Sequence, residues 1–468
     1  MSAPLVMLHL GLGFFHRAHQ ALYLHRLIES GENGWVLAGG NTRPDMMELM
    51  AKLAAQGGKY TLETVAPTGE RGYTKVSAIQ TVVPYEPSLS GLIAIGAEPS
   101  TRIISFTVTE AGYYLDAKDR LDLGFPDLAA DVEAARQGKT GGTIYAALTA
   151  ILRERMRRSG GKVTLLNCDN LRHNGERFRG GLLQFIALLN DARLHDWVVA
   201  NTTSPNAMVD RITPRPGPDL AQRVKRETGW DDAAPVMSES FIQWVIEDDF
   251  CNGRPPWERV GVQMVESVDP YEEAKIRILN ASHSGIAWAG TLAGYESIDE
   301  GTRDPAIRRI AWDYVTNDAI PCLSTPAHPS PIDLAAYRDV VLERFGNADI
   351  RDSNQRVAMD AYSKIPGFIA PTVRERLANN ASIASVAMLP ALFLAFLQRW
   401  HRNEIPYAYH DQAMDPAAAH AICNAPDPVD AFSRDTVLWG PLSGDSRLVG
   451  AIRAAGERVA TFVREHRQ

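Results

Sequence analysis

Short apolar runs alternate with stretches of helical spacing along the first half of the chain. Residues 5–10, LVMLHL, form the first run, and apolar residues three and four positions apart follow it through Leu27. A short apolar run or a period of two is typical of a strand, and a period near 3.6 is typical of a helix. The same pattern predicts strands at residues 35–38, 103–109, 163–167 and 198–201, several strands within 61–83, and helices at 44–55, 143–158 and 175–190.

Because strands and helices alternate, and polar residues close the strands, the pattern predicts an α/β fold with an open, doubly wound, Rossmann-like sheet. Residues 212–235 are rich in proline and aspartate and are expected to form a loop, with two more strands at 241–250 and 260–268. Helical spacing dominates from residue 271 onward, so we expect a Rossmann-like domain over residues 1–268 and a mostly α-helical domain over 269–468. In the second domain the pattern predicts helices at 305–317, 332–345, 372–377, 382–400 and 448–466.

Composition narrows the class of protein. Hydrophobic residues make up 45% and charged residues 22% of the 468 positions, which is ordinary for a globular protein. The formal charge of −8 disfavours a nucleic-acid or anionic-membrane partner, since both require basic clusters. No apolar run reaches membrane-spanning length, no signal peptide is expected, and the four cysteines form no CxxC pair. We therefore expect a cytoplasmic protein with reduced thiols.

Gly11-Leu12-Gly13 follows the first predicted strand and precedes the first helix. Two glycines at such a turn let the backbone approach a pyrophosphate at a helix N-terminus. The third glycine of GxGxxG is absent, because His16 stands there, so the pair also fits a plain tight turn. If a dinucleotide binds, Phe15 or His16 is expected near its phosphates.

The second predicted strand ends in Asn41, Thr42 and Arg43, where folds of this class contact the adenosine ribose. No acidic residue stands immediately at the strand end to hold a ribose 2′-hydroxyl. Arg43 could pair with a 2′-phosphate, which would favour NADP, or stack on adenine with either cofactor. These residues leave NAD and NADP open.

Cys168, Asp169 and Asn170 follow the predicted strand at 163–167, with His173 nearby. A zinc site needs three or four ligands at a recognisable spacing, and this cluster has neither a second Cys nor a spaced His pair. We therefore expect no metal here. Asp169 is expected to hold the turn, and Asn170 to donate its amide to a substrate oxygen.

The stretch 272–285, EEAKIRILNASHSG, holds Lys275, Asn280 and His283 in a predicted helix. At about 100° per residue, Asn280 lies about 140° and His283 about 80° around the axis from Lys275. A base, an amide donor and an imidazole on one broad face could surround a hydroxyl group. A solvated surface helix fits the same spacing.

Six blocks of sequence, taken together, resemble the polyol-specific long-chain dehydrogenases, the mannitol dehydrogenase family. Lys275, Asn280 and His283 match the family signature of Lys, four residues, Asn, two residues and His. The other blocks follow in order along nearly the whole chain: GLGFFHRAHQALY (11–23), TVTEAGYY (107–114), CDNLRHNG (168–175), MVDRITP (208–214) and SKIPGFIAPTVRE (363–375).

The resemblance implies zinc-independent oxidation of a secondary hydroxyl of a sugar alcohol to a ketose, with hydride transfer to NAD. Lys275 would be the general base, and its ordinary pKa of about 10.4 must fall for it to act near neutral pH. Asn170 and Asn280 would form an oxyanion hole, and His283 would position a substrate hydroxyl.

The resemblance also implies roles for other residues that match the family's motifs. Glu272 would relay the proton to solvent, with Glu273 as a competing carboxylate. The rest of the polyol would contact Asp210, Arg356 and Lys364. The cofactor would contact Gly11, Gly13, Phe14, Phe15, Asn41, Arg43, Thr109 and Glu110.

Within the family, the short N-terminus and LAGGNTRPD (37–45) are most like the members that oxidise D-arabinitol to D-xylulose. Oxidation of mannitol or sorbitol at position 2 is an alternative. Reduction of a hexuronate is another, and it would need Arg356 or Lys364 for the substrate carboxylate. A nucleotide sensor without chemistry is disfavoured by the complete Lys275, Asn280 and His283 set. We expect a small-molecule polyol or ketose as partner, and a monomer or small homo-oligomer.

Overall fold

The computed structural model describes residues 4–108, 110–116 and 118–466. The chain divides into two compact units. Unit 1 comprises Met1–Ala66 and Glu70–Asp269, and unit 2 comprises Pro67–Gly69 and Pro270–Gln468. Among the described residues, no helix is both long enough and apolar enough to cross a membrane.

Unit 1 is an α/β structure built on a six-stranded sheet. Its described strands are β1 (Leu5–Leu10), β2 (Trp35–Gly40), β3 (Tyr60–Val65), β4 (Arg71–Val76), β5 (Ile79–Val82), β6 (Thr101–Phe106), β7 (Val163–Asn167), β8 (Thr202–Thr203), β9 (Ala207–Asp210), β10 (Val236–Glu239), β11 (Gln243–Glu247) and β12 (Gln263–Val265). Its described helices are α1 (Phe14–Ala18), α2 (Gln20–Glu29), α3 (Met47–Ala55), α4 (Ser90–Ala97), α5 (Pro126–Arg136), α6 (Ile144–Arg157), α7 (Asn174–Leu188), α8 (Ala192–Asn201) and α9 (Leu220–Thr228).

The main sheet has the order β5-β2-β1-β6-β7-β8, and every pairing in it is parallel. The order changes direction between β1 and β6, which makes their carboxyl ends the switch point where such sheets bind ligands. Two smaller sheets have the orders β10-β3-β4 and β12-β11-β9. The predicted doubly wound, Rossmann-like sheet is therefore confirmed.

Side-chain alternation along the central strands gives this sheet two buried faces. On β1, Met7 packs into one apolar cluster, while Leu8 and Leu10 pack into another. On β6, Ile103 packs into the same cluster as Met7, and Ile104 packs into the same cluster as Leu8. Because successive strand residues point to opposite faces, a continuous apolar run supplies both layers at once.

Several predicted elements of unit 1 are wrong or incomplete. Residues 198–201 end helix α8 instead of forming a strand, because Asp191 caps the helix and Leu194 and Val198 bury one face at i,i+4. The expected loop at 212–235 contains α9, which buries Leu220 and Val224 in the same way. The pattern also missed α5 and β10.

Unit 2 is helical, as predicted for the second half of the chain. Its described helices are α10 (Asp269–Ala274), whose first residue belongs to unit 1, α11 (Ala281–Ala293), α12 (Ile298–Arg303), α13 (Pro305–Tyr314), α14 (Ile320–Leu323), α15 (Leu334–Phe345), α16 (Asn354–Ala358), α17 (Ala361–Lys364), α18 (Ala370–Ala378), α19 (Met388–His401), α20 (Pro416–Asn424), α21 (Pro428–Ser433), α22 (Thr436–Trp439) and α23 (Ser446–Glu465). Three π segments interrupt them: Lys275–Asn280, Val315–Ala319 and Ile365–Ile369.

The core of unit 2 forms around α19, which is apolar on most of its surface and packs against α11 and α23. Gly285 lets α11 approach α19 closely, since a Cβ there would lie 2.5 Å from a methyl group of Leu389. This packing holds α11 firmly, and α11 directly continues the π segment that carries Lys275 and Asn280.

Candidate active site

The turn between β1 and α1 carries the two glycines of the predicted nucleotide motif. Gly11 has a φ of 109°, which favours glycine, and a Cβ there would lie 3.0 Å from the carbonyl oxygen of Thr107. Gly13 is the N-cap of α1, and no side chain of the described residues caps that helix. The backbone at this turn is bare and close-packed, as a pyrophosphate site requires.

The residues after the glycines divide between surface and interior. Phe14 and Phe15 are partly exposed, whereas His16 is fully buried, and its ring stacks on that of His9 at a centroid distance of 3.4 Å. Of the two residues expected near the phosphates, only Phe15 therefore reaches the surface. His16 packs beneath the glycine turn instead.

The stacked histidines form a neutral layer under this turn. His9 Nδ1 lies 2.8 Å from the hydroxyl oxygen of Ser105 on the neighbouring strand β6. Burial lowers the pKa of His9 to about 3 and also lowers the pKa of His16 well below its ordinary value. Since a buried charge here would have no carboxylate partner in these contacts, both rings are uncharged near neutral pH.

At the end of β2, Asn41 is 8% exposed, and its side-chain Nδ2 donates to no acceptor among the described residues. An orphan donor of this kind is costly unless a ligand or water accepts from it. Thr42 donates its hydroxyl to the carbonyl of Gly142 at 3.0 Å. With the bare glycine turn, Asn41 fits the adenosine end of a dinucleotide at the position that the sequence predicted.

Arg43 already has acceptors within unit 1. Its Nη2 donates to Asp127 Oδ2 at 3.0 Å and to the Tyr114 hydroxyl at 2.8 Å. The sequence reasoning missed Asp127 because it missed α5, although proline followed by an acidic residue is a helix-start signal. Thr109 lies outside the described residues, as does the side chain of Glu110.

The turn after β7 is held by Asp169, as the sequence predicted. Its two carboxylate oxygens accept from the amide of Val108 at 2.6 Å and from the Tyr113 hydroxyl at 2.7 Å. Burial raises the pKa of Asp169 to about 7, against the opposing effect of these hydrogen bonds. Asn170 follows it and is an exposed residue at the carboxyl end of the sheet.

Asn174, which the sequence reasoning did not single out, connects this turn to β9. Its Nδ2 donates to the carbonyls of Asp169 and Ala207, and its Oδ1 accepts from the amide of Ala207. Asp210 closes β9 and is buried. The next residue, Arg211, directs its guanidinium to the carbonyls of Ala18 and Glu239.

In unit 2, Lys275 and Asn280 begin and end the first π segment. The expected angle of about 140° between them assumed an α-helix, and the structure overturns it. In a π-helix the backbone bonds join residues five positions apart and each residue turns less about the axis, so residues five apart lie closer together around the axis than in an α-helix. Lys275, which is 7% exposed, and Asn280 are separated by this interval, so the π segment places them on one face.

The π segment is anchored by Arg277. Its guanidinium donates to Thr372 and, with two nitrogens, to Glu375, while its carbonyl accepts from the Tyr314 hydroxyl at 2.7 Å. Glu273 lies 3.7 Å from the same guanidinium. Glu272, by contrast, is buried one helical turn before Lys275.

His283 lies on α11, three residues after Asn280, with its ring stacked on Phe345 at 4.4 Å. Its Nε2 is 3.4 Å from Asp352 Oδ2, which is ion-pair distance without hydrogen-bond geometry. Burial lowers the pKa of His283, although the Asp352 carboxylate opposes that effect. The ring is therefore held in place and kept neutral.

Asp352 also joins His283 to Arg356. Both of its oxygens accept from Arg356, which lies one helical turn later. Burial alone would raise the pKa of Asp352, but His283 and Arg356 hold it below its usual range. The sequence analysis missed Asp352, and the only signal was its i,i+4 spacing from Arg356.

Lys364 ends α17 immediately before the third π segment, and its Nζ donates to the carbonyl of Val357 at 2.7 Å. Its charge, together with that of Arg356, adds to the lowering of the pKa of His283. The first π segment contacts both of the others. His283, Arg356 and Lys364 are thus close enough to interact electrostatically, and Lys275 and Asn280 lie on the π segment that runs directly into the helix of His283.

These features define a class of protein. A glycine turn at the switch point of a parallel sheet suits a dinucleotide, and a buried lysine with an amide and a neutral imidazole suits proton removal from an alcohol. The fold and the side chains together define a dehydrogenase that acts on alcohols.

Comparison with known proteins gives the family. Residues 6–259 match the mannitol dehydrogenase Rossmann domain, and residues 267–460 match the mannitol dehydrogenase C-terminal domain. The chain belongs to the mannitol dehydrogenase family, and the prediction of a polyol dehydrogenase is confirmed.

Individual relatives are similar over nearly their whole length. A D-arabinitol 4-dehydrogenase of Ralstonia nicotianae is 58% identical over 98% of this chain and 97% of its own length. A D-arabinitol 4-dehydrogenase of Klebsiella pneumoniae is 52% identical over 99% of this chain and all of its own. The solved structure of Pseudomonas fluorescens mannitol 2-dehydrogenase, a ternary complex with NAD and D-mannitol, has a TM-score of 0.82 at 33% identity and covers 99% of this chain and 94% of that one.

Proposed function

We propose that this protein oxidises D-arabinitol to D-xylulose with NAD as the hydride acceptor. Two relatives that are 58% and 52% identical over nearly the full chain carry the name D-arabinitol 4-dehydrogenase, and this similarity supports the substrate. The solved relative bound to NAD supports the cofactor. The observation that carries the chemistry is the π segment, which aligns the buried Lys275 with Asn280.

In this proposal Lys275 removes the proton from the hydroxyl that becomes the ketone. The carbon loses its hydride to the bound nicotinamide, so two electrons and one proton leave and a C=O bond forms. The buried Lys275 amine is shielded from water, the condition that a lysine base needs. Asn280 and Asn170 donate to the oxygen as its negative charge develops.

Glu272 is proposed as the exit for the proton. Glu273, the competing carboxylate, lies beside Arg277 and so has a separate electrostatic role. Glu272 is buried one turn before Lys275, which suits a relay that must exclude bulk water.

His283 is proposed to orient a neighbouring hydroxyl, with Asp210, Arg356 and Lys364 on the remainder of the polyol. A polyol has no formal charge, and this suits a site whose cations already have acceptors. Arg356 is paired with Asp352, and Lys364 donates to Val357. A hexuronate would have to draw one of these cations away, so the geometry favours an alcohol.

The proposal also covers the roles of the two domains, the cellular compartment and the oligomeric state. We propose that residues 1–268 hold the cofactor, that residues 269–468 supply the base, and that the protein acts in the cytoplasm as a monomer or small homo-oligomer. Its cysteines are free, which suits a reducing compartment. No metal takes part in this proposed mechanism, in which Lys275 is the base.

The test is a panel of D-arabinitol, D-mannitol, D-sorbitol and xylitol oxidations, with fructuronate and tagaturonate reductions, each assayed with NAD(H) and NADP(H). The expected result is the highest kcat/KM with D-arabinitol and NAD. A preference for a hexuronate would overturn the proposal. Activity should survive a chelator, and a loss that added metal restores would overturn the metal-free mechanism.

D-mannitol is the second candidate substrate. The solved relative contains it, and that relative matches nearly the whole of this chain. A kcat/KM for D-mannitol above that for D-arabinitol would select this alternative and leave the proposed catalytic residues unchanged.

A further inference from the structure

The residues at the end of β2 do not by themselves decide whether the protein binds NAD or NADP. No acidic residue follows the strand immediately, and Arg43 stands three residues beyond Gly40. In folds of this class an acid there holds a ribose 2′-hydroxyl, and an arginine accommodates a 2′-phosphate. Taken alone, this strand end does not decide between NAD and NADP.

A distant residue supplies the missing negative charge. Asp127, at the start of α5, places Oδ2 3.0 Å from Arg43 Nη2, and both side chains are about half exposed, at 50% and 48%. The Tyr114 hydroxyl donates to the same carboxylate oxygen at 2.5 Å and also accepts from Arg43. Arg43, Tyr114 and Asp127 thus form one hydrogen-bonded group, which we call the Arg43 triad.

We propose that Asp127 makes this protein select NAD over NADP, an inference that rests on the proposed function. The hydrogen bond from Tyr114, together with Arg43, holds the pKa of Asp127 below its usual range, so the carboxylate stays charged. It occupies the guanidinium that a 2′-phosphate would need and repels that phosphate. NAD lacks the phosphate and meets neither obstacle.

The triad is suited to selectivity because it adds little to the fold. Exposed ion pairs contribute little to stability, so removing the charge of Asp127 leaves unit 1 folded. A phosphate brought to the same guanidinium, however, meets a like charge only a few ångströms away. Repulsion at that range in a half-exposed setting corresponds to a change on the order of tenfold in affinity.

The test compares binding, independently of turnover, in the full-length protein. Dissociation constants for NADH and NADPH are measured by fluorescence titration for the wild type and for Asp127→Asn, which keeps the shape of the side chain. We expect NADPH to bind about tenfold more tightly to the variant, with little change for NADH. Arg43→Ala in the Asp127→Asn background should remove the gain.

Glu98→Gln is the matched control, because Glu98 pairs with Arg158 at similar exposure elsewhere in unit 1. It should leave both affinities unchanged, and thermal unfolding confirms that all variants are folded. An unchanged NADPH to NADH ratio in Asp127→Asn, or a gain that persists without Arg43, would overturn the inference while the proposed function stands. A wild type that binds neither nucleotide would overturn the proposed function and this inference with it.

Discussion

The two units present their candidate chemistry on different kinds of backbone. Unit 1 places Gly11, Asn41 and Asn170 at the carboxyl ends of regular parallel strands. Unit 2 places Lys275 and Asn280 at the two ends of a π segment, which contacts two further π segments. Strand ends meet at one edge of a sheet whatever the sequence, whereas a π segment has to be held by specific contacts.

The two units also keep histidines neutral by different means. His9 and His16 in unit 1 are uncharged because they are enclosed and stacked on each other. His283 in unit 2 has the Asp352 carboxylate at ion-pair distance and a lowered pKa nonetheless. Beneath the glycine turn, burial alone keeps the histidines uncharged. On α11, burial lowers the pKa of His283 while the Asp352 carboxylate, which also pairs with Arg356, raises it.

The largest expected effect concerns Lys275, because nothing else on the first π segment offers a base. Lys275→Met keeps the length of the buried chain but removes the amine. We expect kcat to fall by about 10²–10⁴, the range of general-base catalysis, with NADH binding nearly unchanged. Steady-state kinetics and nucleotide titration measure the two quantities.

Lys225→Met is a suitable control, since Lys225 pairs with Asp231 on an exposed part of unit 1 and should retain full activity. If Lys275→Met kept wild-type turnover, the π segment would not carry the base, and the contrast between the two units would lose its functional meaning.

Asn280 is expected to give the next largest effect, because the π segment brings it nearer to the face of Lys275 than an α-helix would. Asn280→Ala should lower kcat by about 10²–10³, the cost of losing one oxyanion donor. Asn379→Ala, at the exposed end of α18, should have no such effect. A nearly neutral Asn280→Ala would show that the alignment has no catalytic role.

Asp352 tests whether the carboxylate in unit 2 positions the substrate residues. Asp352→Asn should raise KM for the polyol by about tenfold, with a smaller change in kcat, because losing one buried charge-assisted contact costs about 1.5–3 kcal/mol. It should also move the acid limb of kcat/KM to lower pH. The sign follows from the carboxylate, which favours protonated His283, so its removal lowers the pKa of His283 further.

A purely structural role for Asp352 would reduce stability but would not move the pH profile. Asp352→Glu should recover part of the wild-type KM. Asp313→Asn, which alters a pair with Arg309 on α13, is the comparison variant within unit 2. Unchanged KM and an unchanged profile in Asp352→Asn would contradict the positioning role.

The smallest expected effect is on stability and concerns His9 in unit 1. Unfolded histidine takes up a proton near pH 6.5, whereas folded His9 does so only near pH 3. The unfolded state therefore binds more protons below pH 6.5, and stability falls as pH falls. His9 should contribute about 1.4 kcal/mol of this loss per pH unit.

His9→Gln lacks this proton, so its deficit in unfolding free energy relative to the wild type should shrink between pH 7 and pH 5.5. Urea unfolding at each pH measures the deficit. His328→Gln, at an exposed position, should follow the wild type throughout. Parallel curves for His9→Gln and the wild type would mean that His9 takes up its proton at the same pH in the folded and unfolded states.

Much of unit 1 followed from local pattern. The strand at 5–10, the glycine turn, the helix capped by Thr143 and the strand at 163–167 all lie where the sequence predicted them. Residues 198–201 misled because Trp197, Val198 and Val199 suit a strand, while the decisive cap came from Asp191, seven residues earlier. A cap and an i,i+4 pair outweighed local strand preference.

In unit 2 the identities of the site residues were predictable, but their geometry was not. Lys275, Asn280 and His283 were singled out by spacing and by family resemblance, yet an α-helical period gave the wrong angle between the first two. The π segment depends on contacts far away in the sequence, such as Tyr314 with the carbonyl of Arg277 and Glu375 with its guanidinium.

The sequence by itself determined most of the parallel strands of unit 1, the two-sided sheet they form and the residues that can carry polyol chemistry, because periodicity and motifs are local. Only the tertiary structure decided how those residues meet. It paired Arg43 with Asp127, enclosed His16, joined His283 to Arg356 through Asp352 and placed Lys275 and Asn280 at the two ends of a π segment. Each of these outcomes depends on charges, burial or backbone hydrogen bonds that no single stretch of sequence contains.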